Sequence, residues 1–203
     1  MIAIVDYGLG NVQAIANIYQ RLNITVRRAS TPAELAGADR FILPGVGAFD
    51  WAMTRLNDSG MREPLDAAVR AGQLVLGICV GMQMMGEGSD EGHLPGLGWV
   101  PGRVRRLTAP PGSVLPLPHM GWNDVSARPG GLFEKLEAPP RFYFLHSYYF
   151  EPTHQADVLA TAEYPRPFAA AVQRDQVLGV QFHPEKSHGW GIQLLRNFAE
   201  APC

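Results

Sequence analysis

Cys79 lies between Gly77 and Gly81 at the end of the apolar run Leu74-Val75-Leu76-Gly77-Ile78, and the residues that follow are compatible with a helix. A strand that turns sharply into a helix while presenting one side chain at the top of a sheet has this pattern, a nucleophile elbow with sulfur in place of oxygen. At a helix N-terminus the macrodipole and unpaired N–H groups favour the thiolate, which is the nucleophilic form. A G-x-C-x-G match is short, and a buried, inert thiol is an equally available reading of the pentapeptide. A cysteine nucleophile also needs a base within hydrogen-bond reach and a group that orients the base. Of the six histidines, His93 and His154 fall in polar loop segments and read as surface residues. His183 is delivered to a strand end by the run Val177 to Phe182, and Pro184 fixes the chain before Glu185. The expected triad is Cys79 as nucleophile, His183 as base and Glu185 as its carboxylate partner, although a His-Pro-Glu turn also occurs as a hydrogen-bonded corner without chemistry.

Acyl chemistry on a thiol further requires N–H groups aimed where negative charge develops. The backbone of Val80, directly after the cysteine, would supply one donor, and Val46 within Pro44-Gly45-Val46-Gly47 would supply the second, its glycine neighbours letting the main chain turn toward the site. A tight turn with no ligand is the plainer account of that loop. His146, His183, Glu185 and His188 fall near one another in the chain, yet no paired C-x-x-C or H-E-x-x-H spacing is present, so neither a metal site nor a cofactor is expected.

Elements that could bring these residues together follow from periodicity. Ile2 to Val5 reads as a buried first strand, and Val12, Ile15, Ile18, Tyr19 and Leu22 then recur at helical spacing. Thr25 to Arg28 is a second strand, Thr31-Pro32 opens a short helix with proline in its first turn, Phe41 to Leu43 is a third strand and Leu74 to Ile78 a fourth. From about 95 to 140 the chain becomes rich in Pro and Gly, with short strands and no helix. Phe142 to Phe150, Val158 to Thr161, Ala169 to Gln173 and Val177 to Phe182 are strand candidates, and Gly191 to Ala199 a closing helix. The alternation predicts an α/β fold with an open, mostly parallel central sheet flanked by helices and an added small antiparallel β region. Ligands of such sheets bind beyond the carboxyl ends of the strands, and Asp6, the Pro44–Gly47 loop, Cys79, His146 and His183 all follow strand candidates, so several of them should share one rim.

A chain of 203 residues is expected to form one domain, 1–203, burying roughly 70% of its unfolded surface. The net charge of −2 and the lack of long Lys/Arg clusters argue against a nucleic-acid or membrane surface; Arg103, Arg105 and Arg106 read as a solvated strand face rather than a phosphate site. Two cysteines, Cys79 and a terminal Cys203 expected to be mobile, exclude a disulfide framework. With no basic leader and no run approaching ~20 apolar residues, a soluble, cytoplasmic protein is expected.

Five blocks, spread in order over nearly the whole chain, carry a resemblance: Asp6-Tyr7-Gly8-Leu9-Gly10-Asn11, Pro44-Gly45-Val46-Gly47-Ala48-Phe49, Gly77-Ile78-Cys79-Val80-Gly81-Met82-Gln83, His119-Met120-Gly121-Trp122-Asn123 and Phe182-His183-Pro184-Glu185-Lys186-Ser187. With these the chain resembles the class I (triad) glutamine amidotransferases, of flavodoxin-like fold, and more narrowly the glutaminase subunits of imidazole glycerol phosphate synthases in histidine biosynthesis. The resemblance implies that Cys79 attacks the side-chain amide of L-glutamine, that His183 protonates the departing ammonia and then activates water, and that Glu185 orients His183. It implies that Gln83 and Glu91 hold the amino-acid end of glutamine, with Gly47 and the backbone of Ser147 and Tyr148 completing the pocket. It also implies a heterodimer with a (β/α)8-barrel cyclase, which receives the ammonia through a tunnel and turns a phosphoribulosyl-formimino carboxamide ribonucleotide into imidazole glycerol phosphate and an aminoimidazole carboxamide ribotide. Asn11, Trp122 and Lys186 match positions expected at that interface; a buried core aromatic is the alternative for Trp122. Val80 stands where Leu is usual, which is expected to alter packing and not activity, since the chemistry uses its amide.

Three rival functions fit these blocks less well. An amidotransferase serving another synthase, such as the anthranilate type, is opposed by the Asp6–Asn11 and His119–Asn123 blocks. A docking protein that has lost catalysis is opposed by the intact Cys79, His183 and Glu185, and a cysteine hydrolase of larger amides by Gln83, Gly47 and Glu91.

Overall fold

The structure, a computed structural model, describes residues 1–112 and 114–202; Cys203 and its expected mobility lie outside the described residues. The N-terminal part alternates strand and helix as periodicity predicts: β1 (Ile2–Val5), α1 (Val12–Arg21), β2 (Val26–Ala29), β3 (Arg40–Gly45), α2 (Phe49–Asp58), α3 (Arg62–Arg70), β4 (Leu74–Cys79) and the short α4 (Val80–Met84). The Pro- and Gly-rich middle contributes β5 (Gly88–Ser89), β6 (Gly102–Arg106), β7 (His119–Asp124) and β8 (Ser126–Ala127). The remainder forms β9 (Arg141–His146), β10 (Tyr148–Pro152), β11 (Val158–Glu163), β12 (Pro167–Arg174), β13 (Val177–Val180) and α5 (His188–Glu200).

Eight strands make the central sheet, in the order β2-β1-β3-β4-β13-β12-β11-β8. The pairings from β2 through β13 are parallel and those from β13 through β8 antiparallel. β1, β4 and β13 are buried at every position, as strands covered on both faces must be, and this is why they read as unbroken apolar runs. Two small sheets stand apart, β10-β6-β5 and β7-β9. The expected mostly parallel sheet with an added small β region is the observed architecture.

Two expectations need correction. Phe142 to Phe150 is not one strand: it breaks at Ser147, β9 pairing with β7 and β10 with β6. Phe142, Phe144, His146 and Phe150 all point inward, so the alternation runs through the break and periodicity registers no change of partner. Asp6 does not join the rim of strand ends that forms the pocket; its carboxylate pairs with Arg28 and accepts the Gly8 N–H at 3.3 Å. Proline does open the segment after β2, as one turn of 3-10 helix, Pro32–Leu35, closed by a Thr31/Glu34 capping box. Arg103 and Arg105 on β6 are paired with Asp90 and Glu151, which neutralises two of the three arginines of the basic patch. Among the described residues no helix is long and apolar enough to cross a membrane.

Candidate active site

Cys79 ends the central strand β4 with φ 56°, a left-handed backbone that a cysteine adopts only under constraint from its surroundings. The constraint is packing of α4 across β3 and β4. A Cβ on Gly81 would lie 1.9 Å from the carbonyl oxygen of Leu43, and one on Gly77 would lie 2.7 Å from the Met82 nitrogen. Both elbow glycines are therefore required by close approach. The thiol is nearly enclosed, 4% exposed, and faces a cavity of about 310 Å³, at the lower end of small-molecule sites.

Parallel register brings the partners to it. Gly45 of β3 lies opposite Cys79, and Val180 of β13 lies opposite Ile78, so the chain leaving β13 passes beside the cysteine. Three residues past β13 comes His183, its N–H bonded to the Tyr143 carbonyl at 2.9 Å and its carbonyl accepting the Ser187 hydroxyl at 2.6 Å. Ser187 Oγ in turn accepts the Tyr143 N–H at 3.0 Å, which locks the turn onto β9. Glu185 Oε1 meets His183 Nδ1 at 2.9 Å, both side chains buried, while its Oε2 has no hydrogen-bond partner among the described residues. Burial alone would lower the His183 pKa; hydrogen bonds to Cys79 and Glu185, with their charge, outweigh it and hold the imidazole at about 10. The histidine is thus set up to keep a proton between the sulfur and the carboxylate.

The cavity is lined by Val46, Gly47, Val80, Gln83, Glu91, Ser147, Tyr148 and Lys186 as well as Cys79 and His183. Every residue expected to act on or hold a substrate is therefore present on it except Glu185, which stands behind His183. Gly47 adopts φ 87° in the loop after β3. Tyr7 donates its buried hydroxyl to the Pro44 carbonyl at 2.7 Å, and a Cβ on Gly10 would lie 2.6 Å from the Pro44 Cβ, so the Asp6–Asn11 segment clamps the base of this loop. Burial, and then the nearby Cys79, push the Tyr7 hydroxyl far above its ordinary range, keeping it a donor. Gln83 reaches the cavity with its amide nitrogen already committed, donating to the Tyr148 carbonyl at 2.9 Å and to Gln181 Oε1 at 3.0 Å. With the nitrogen so committed, the amide oxygen is the group left to face the cavity. Glu91 is seated by its own N–H on Ser89 Oγ at 3.0 Å.

Gln181 escaped notice in the sequence. It is wholly buried and places Nε2 3.8 Å from Cys79 Sγ. Its position two residues before His183 was the available signal, since an amide at the end of an otherwise apolar strand must find partners. His119 is the other omission, buried and 2.9 Å from His146.

Trp122 is 39% exposed, its ring stacked on His188 at 5.3 Å, so it is not a core aromatic. Lys186 is exposed with its ammonium over the Tyr143 ring, and Asn11 is exposed at the start of α1, making no side-chain cap bond there. Val46, Met120 and Leu145 add exposed apolar surface.

A family model described as glutamine amidotransferase class-I matches residues 3–201. A protein of Bdellovibrio bacteriovorus named imidazole glycerol phosphate synthase subunit HisH is 60% identical over 203 residues, covering 98% of this chain and all of the relative. The protein of that name from Leptospira interrogans is 48% identical, over 98% of this chain and 99% of its own. Among solved structures, one described as a glutamine amidotransferase superposes with a TM-score of 0.76 at 19% identity, covering 98% of this chain and 97% of the other. At that identity it speaks to the fold alone.

Proposed function

The chain belongs to the class I glutamine amidotransferase family, and from that premise we propose that it is the glutaminase subunit of an imidazole glycerol phosphate synthase, acting as one domain over residues 1–203. It hydrolyses L-glutamine to glutamate and ammonia and passes the ammonia to a cyclase subunit that makes imidazole glycerol phosphate and aminoimidazole carboxamide ribotide in histidine biosynthesis. The observation that carries the reading is the cavity in which Cys79 and His183 meet, with Glu185 on the far nitrogen of the imidazole.

The reaction follows from those groups. Cys79, its proton held by His183, attacks the Cδ carbonyl carbon of glutamine, and the backbone N–H groups of Val46 and Val80 receive the oxyanion. His183 then gives its proton to the departing nitrogen, and ammonia leaves a glutamyl thioester. At this point the sulfur is neutral, and the share of His183's raised pKa that came from the charge and hydrogen bond of Cys79 is gone, while that of Glu185 stays. Its pKa falls, and the same imidazole becomes a base able to take a proton from water. Hydroxide adds to the thioester carbon, the C–S bond breaks, and the sulfur leaves as the thiolate beside the protonated imidazole, which restores the pair while the new carboxyl group of glutamate gives its proton to solvent. Glu185 fixes Nδ1 as a donor throughout, so that Nε2 faces the chemistry.

Glutamine's ammonium is held by Glu91 and the Gln83 oxygen, and its other contacts come from Gly47 and the backbone of Ser147 and Tyr148. The partner is a (β/α)8-barrel cyclase docking over Asn11, Trp122 and Lys186; neither nucleic acid nor membrane is involved, and the complex works in the cytoplasm. The exposed Trp122 with Met120 and Leu145 beside the cavity supports that docking face. Glutamate release from glutamine by the chain alone, and then with the barrel cyclase and its nucleotide substrate, tests the reading. A rate that climbs strongly in the full mixture is expected. No stimulation, with the cyclase active on added ammonia, would sink the pathway assignment.

A further inference from the structure

A backbone carbonyl can only accept hydrogen bonds, and the carbonyl of Tyr148 accepts two from side chains: Gln83 Nε2 at 2.9 Å and His146 Nδ1 at 2.8 Å. This fixes the donor and acceptor roles of five side chains. His146 must carry its proton on Nδ1, so its Nε2 is a bare acceptor. That atom faces His119 Nδ1 at 2.9 Å, and His119 must therefore also be protonated on Nδ1. The bare Nε2 of His119 then accepts from Asn123 Nδ2 at 3.3 Å, whose amide also donates to the Glu163 carbonyl at 2.9 Å. On the other side, the Gln83 NH₂ group meets Gln181 at 3.0 Å, so Gln181 turns its oxygen to Gln83 and its NH₂ to Cys79 Sγ at 3.8 Å.

The arrangement has little freedom to change. Gln83, Gln181, His119 and His146 are all buried. The His119 ring is stacked on Tyr164 at 4.1 Å and on Phe144 at 5.0 Å, so it cannot turn over without opening the core. A second proton on either imidazole would set two N–H groups against each other, and burial opposes it, lowering His119 to about 4 and His146 to about 3.

We propose that these groups form a positioning relay running from Asn123 on β7, the strand that bears Trp122, to the Cys79 sulfur, and that Gln181, in addition to His183, orients the thiol and stabilises its anion. The inference rests on Cys79 being the nucleophile. An N–H aimed at sulfur stabilises the thiolate more than the thiol and restricts the direction from which the sulfur's remaining lone pairs project into the cavity. Because Gln181 is oriented by Gln83, and Gln83 by the carbonyl that His146 also binds, the relay holds Gln181's amide in one of its two flips. The strand that carries the exposed tryptophan thereby shares one hydrogen-bond system with the reactive atom.

Two measurements on the full chain test this. The first is ¹⁵N NMR of the histidine rings near pH 7. Free imidazole favours the proton on Nε2, so finding both His119 and His146 with the proton on Nδ1 supports the relay, and finding either on Nε2 overturns it. The second is the pH profile of Cys79 alkylation by iodoacetamide, followed with glutamine hydrolysis. Gln181→Leu should move the profile upward by about one pH unit, the scale of one hydrogen bond to a charged group, so that alkylation on the acid limb of the profile slows about tenfold. A profile that overlays that of the unaltered chain would overturn the role of Gln181 while leaving the nucleophile in place. Alkylation of Cys79 with glutamine hydrolysis intact would instead remove the nucleophile itself.

Discussion

Glu91 Oε2 accepts the backbone N–H of Phe49 at 2.9 Å, so a carboxylate on the cavity wall also caps the first turn of α2, the helix that the Pro44–Gly47 loop feeds. The tie is mutual. Asp50, in the same first turn, accepts the N–H groups of His93 and Leu94 at 2.9 and 3.0 Å, pinning the segment that follows Glu91. On the proposed reading, the group that binds the ammonium of glutamine through its second oxygen is anchored to the loop proposed to receive the oxyanion.

Glu91→Gln keeps an oxygen for the Phe49 N–H and removes the charge, whereas Glu91→Ala removes both. The glutamine KM should rise about tenfold or more in each. Only the alanine variant should also lose about 1 kcal/mol of stability, read by urea unfolding, because only it uncaps α2. Equal KM values for the unaltered chain and Glu91→Gln would exclude an ammonium contact.

Cys79→Ala should abolish glutamate release and retain binding to the barrel cyclase, measured by titration calorimetry or size exclusion. Alanine keeps the Cβ and with it the left-handed strain at residue 79, so the loss of the nucleophile is the change that is read. Retained hydrolysis would remove Cys79 from the mechanism.

Stability should depend on pH with opposite signs on the two sides of about 6.5. His119 and His146, lowered to about 4 and about 3 by burial, take up protons on unfolding, so their contribution is complete above 6.5 and falls as the pH drops. The slope is at most about 1.4 kcal/mol per histidine per pH unit. His183, raised to about 10, contributes stability that is complete below 6.5 and is lost as the pH climbs toward 10. Unfolding free energies at pH 5.5, 6.5 and 8 check both limbs, and His119→Phe, which keeps the stacking, should remove about half of the acid slope. An acid limb unchanged by that substitution would mean that His119 is not a buried neutral imidazole.

Gly81→Ala places a methyl carbon 1.9 Å from the Leu43 oxygen, a backbone atom that cannot swing aside. The elbow must then open, at a cost of about 3 kcal/mol, and Cys79 moves with it. Denaturant midpoints and thiol alkylation report the two effects together; an unchanged midpoint would mean that α4 does not pack on β3 as described.

Order along the chain determined more of this protein than its length would suggest. Apolar runs ending in Cys79 and in His183, with glycines where two elements cross, were enough to fix a parallel sheet and its reactive rim, because strands buried on both faces have few compositions open to them. Strand ends and the His-Pro-Glu turn pointed to the triad, whereas Gly47, Gln83, Glu91, Ser147 and Tyr148 were indicated only by the family resemblance. Periodicity did not single out α2 or α3; α3 buries only Leu65 and Ala68 and carries its amphipathicity mostly in charged residues. Tertiary structure alone decided which polar groups face each other. The break at Ser147, the cap from Glu91 to Phe49, the exposure of Trp122 and the contact of Gln181 with sulfur all depend on atoms brought together from distant segments. A sequence states that a buried amide needs partners; only the packed chain says which ones it has.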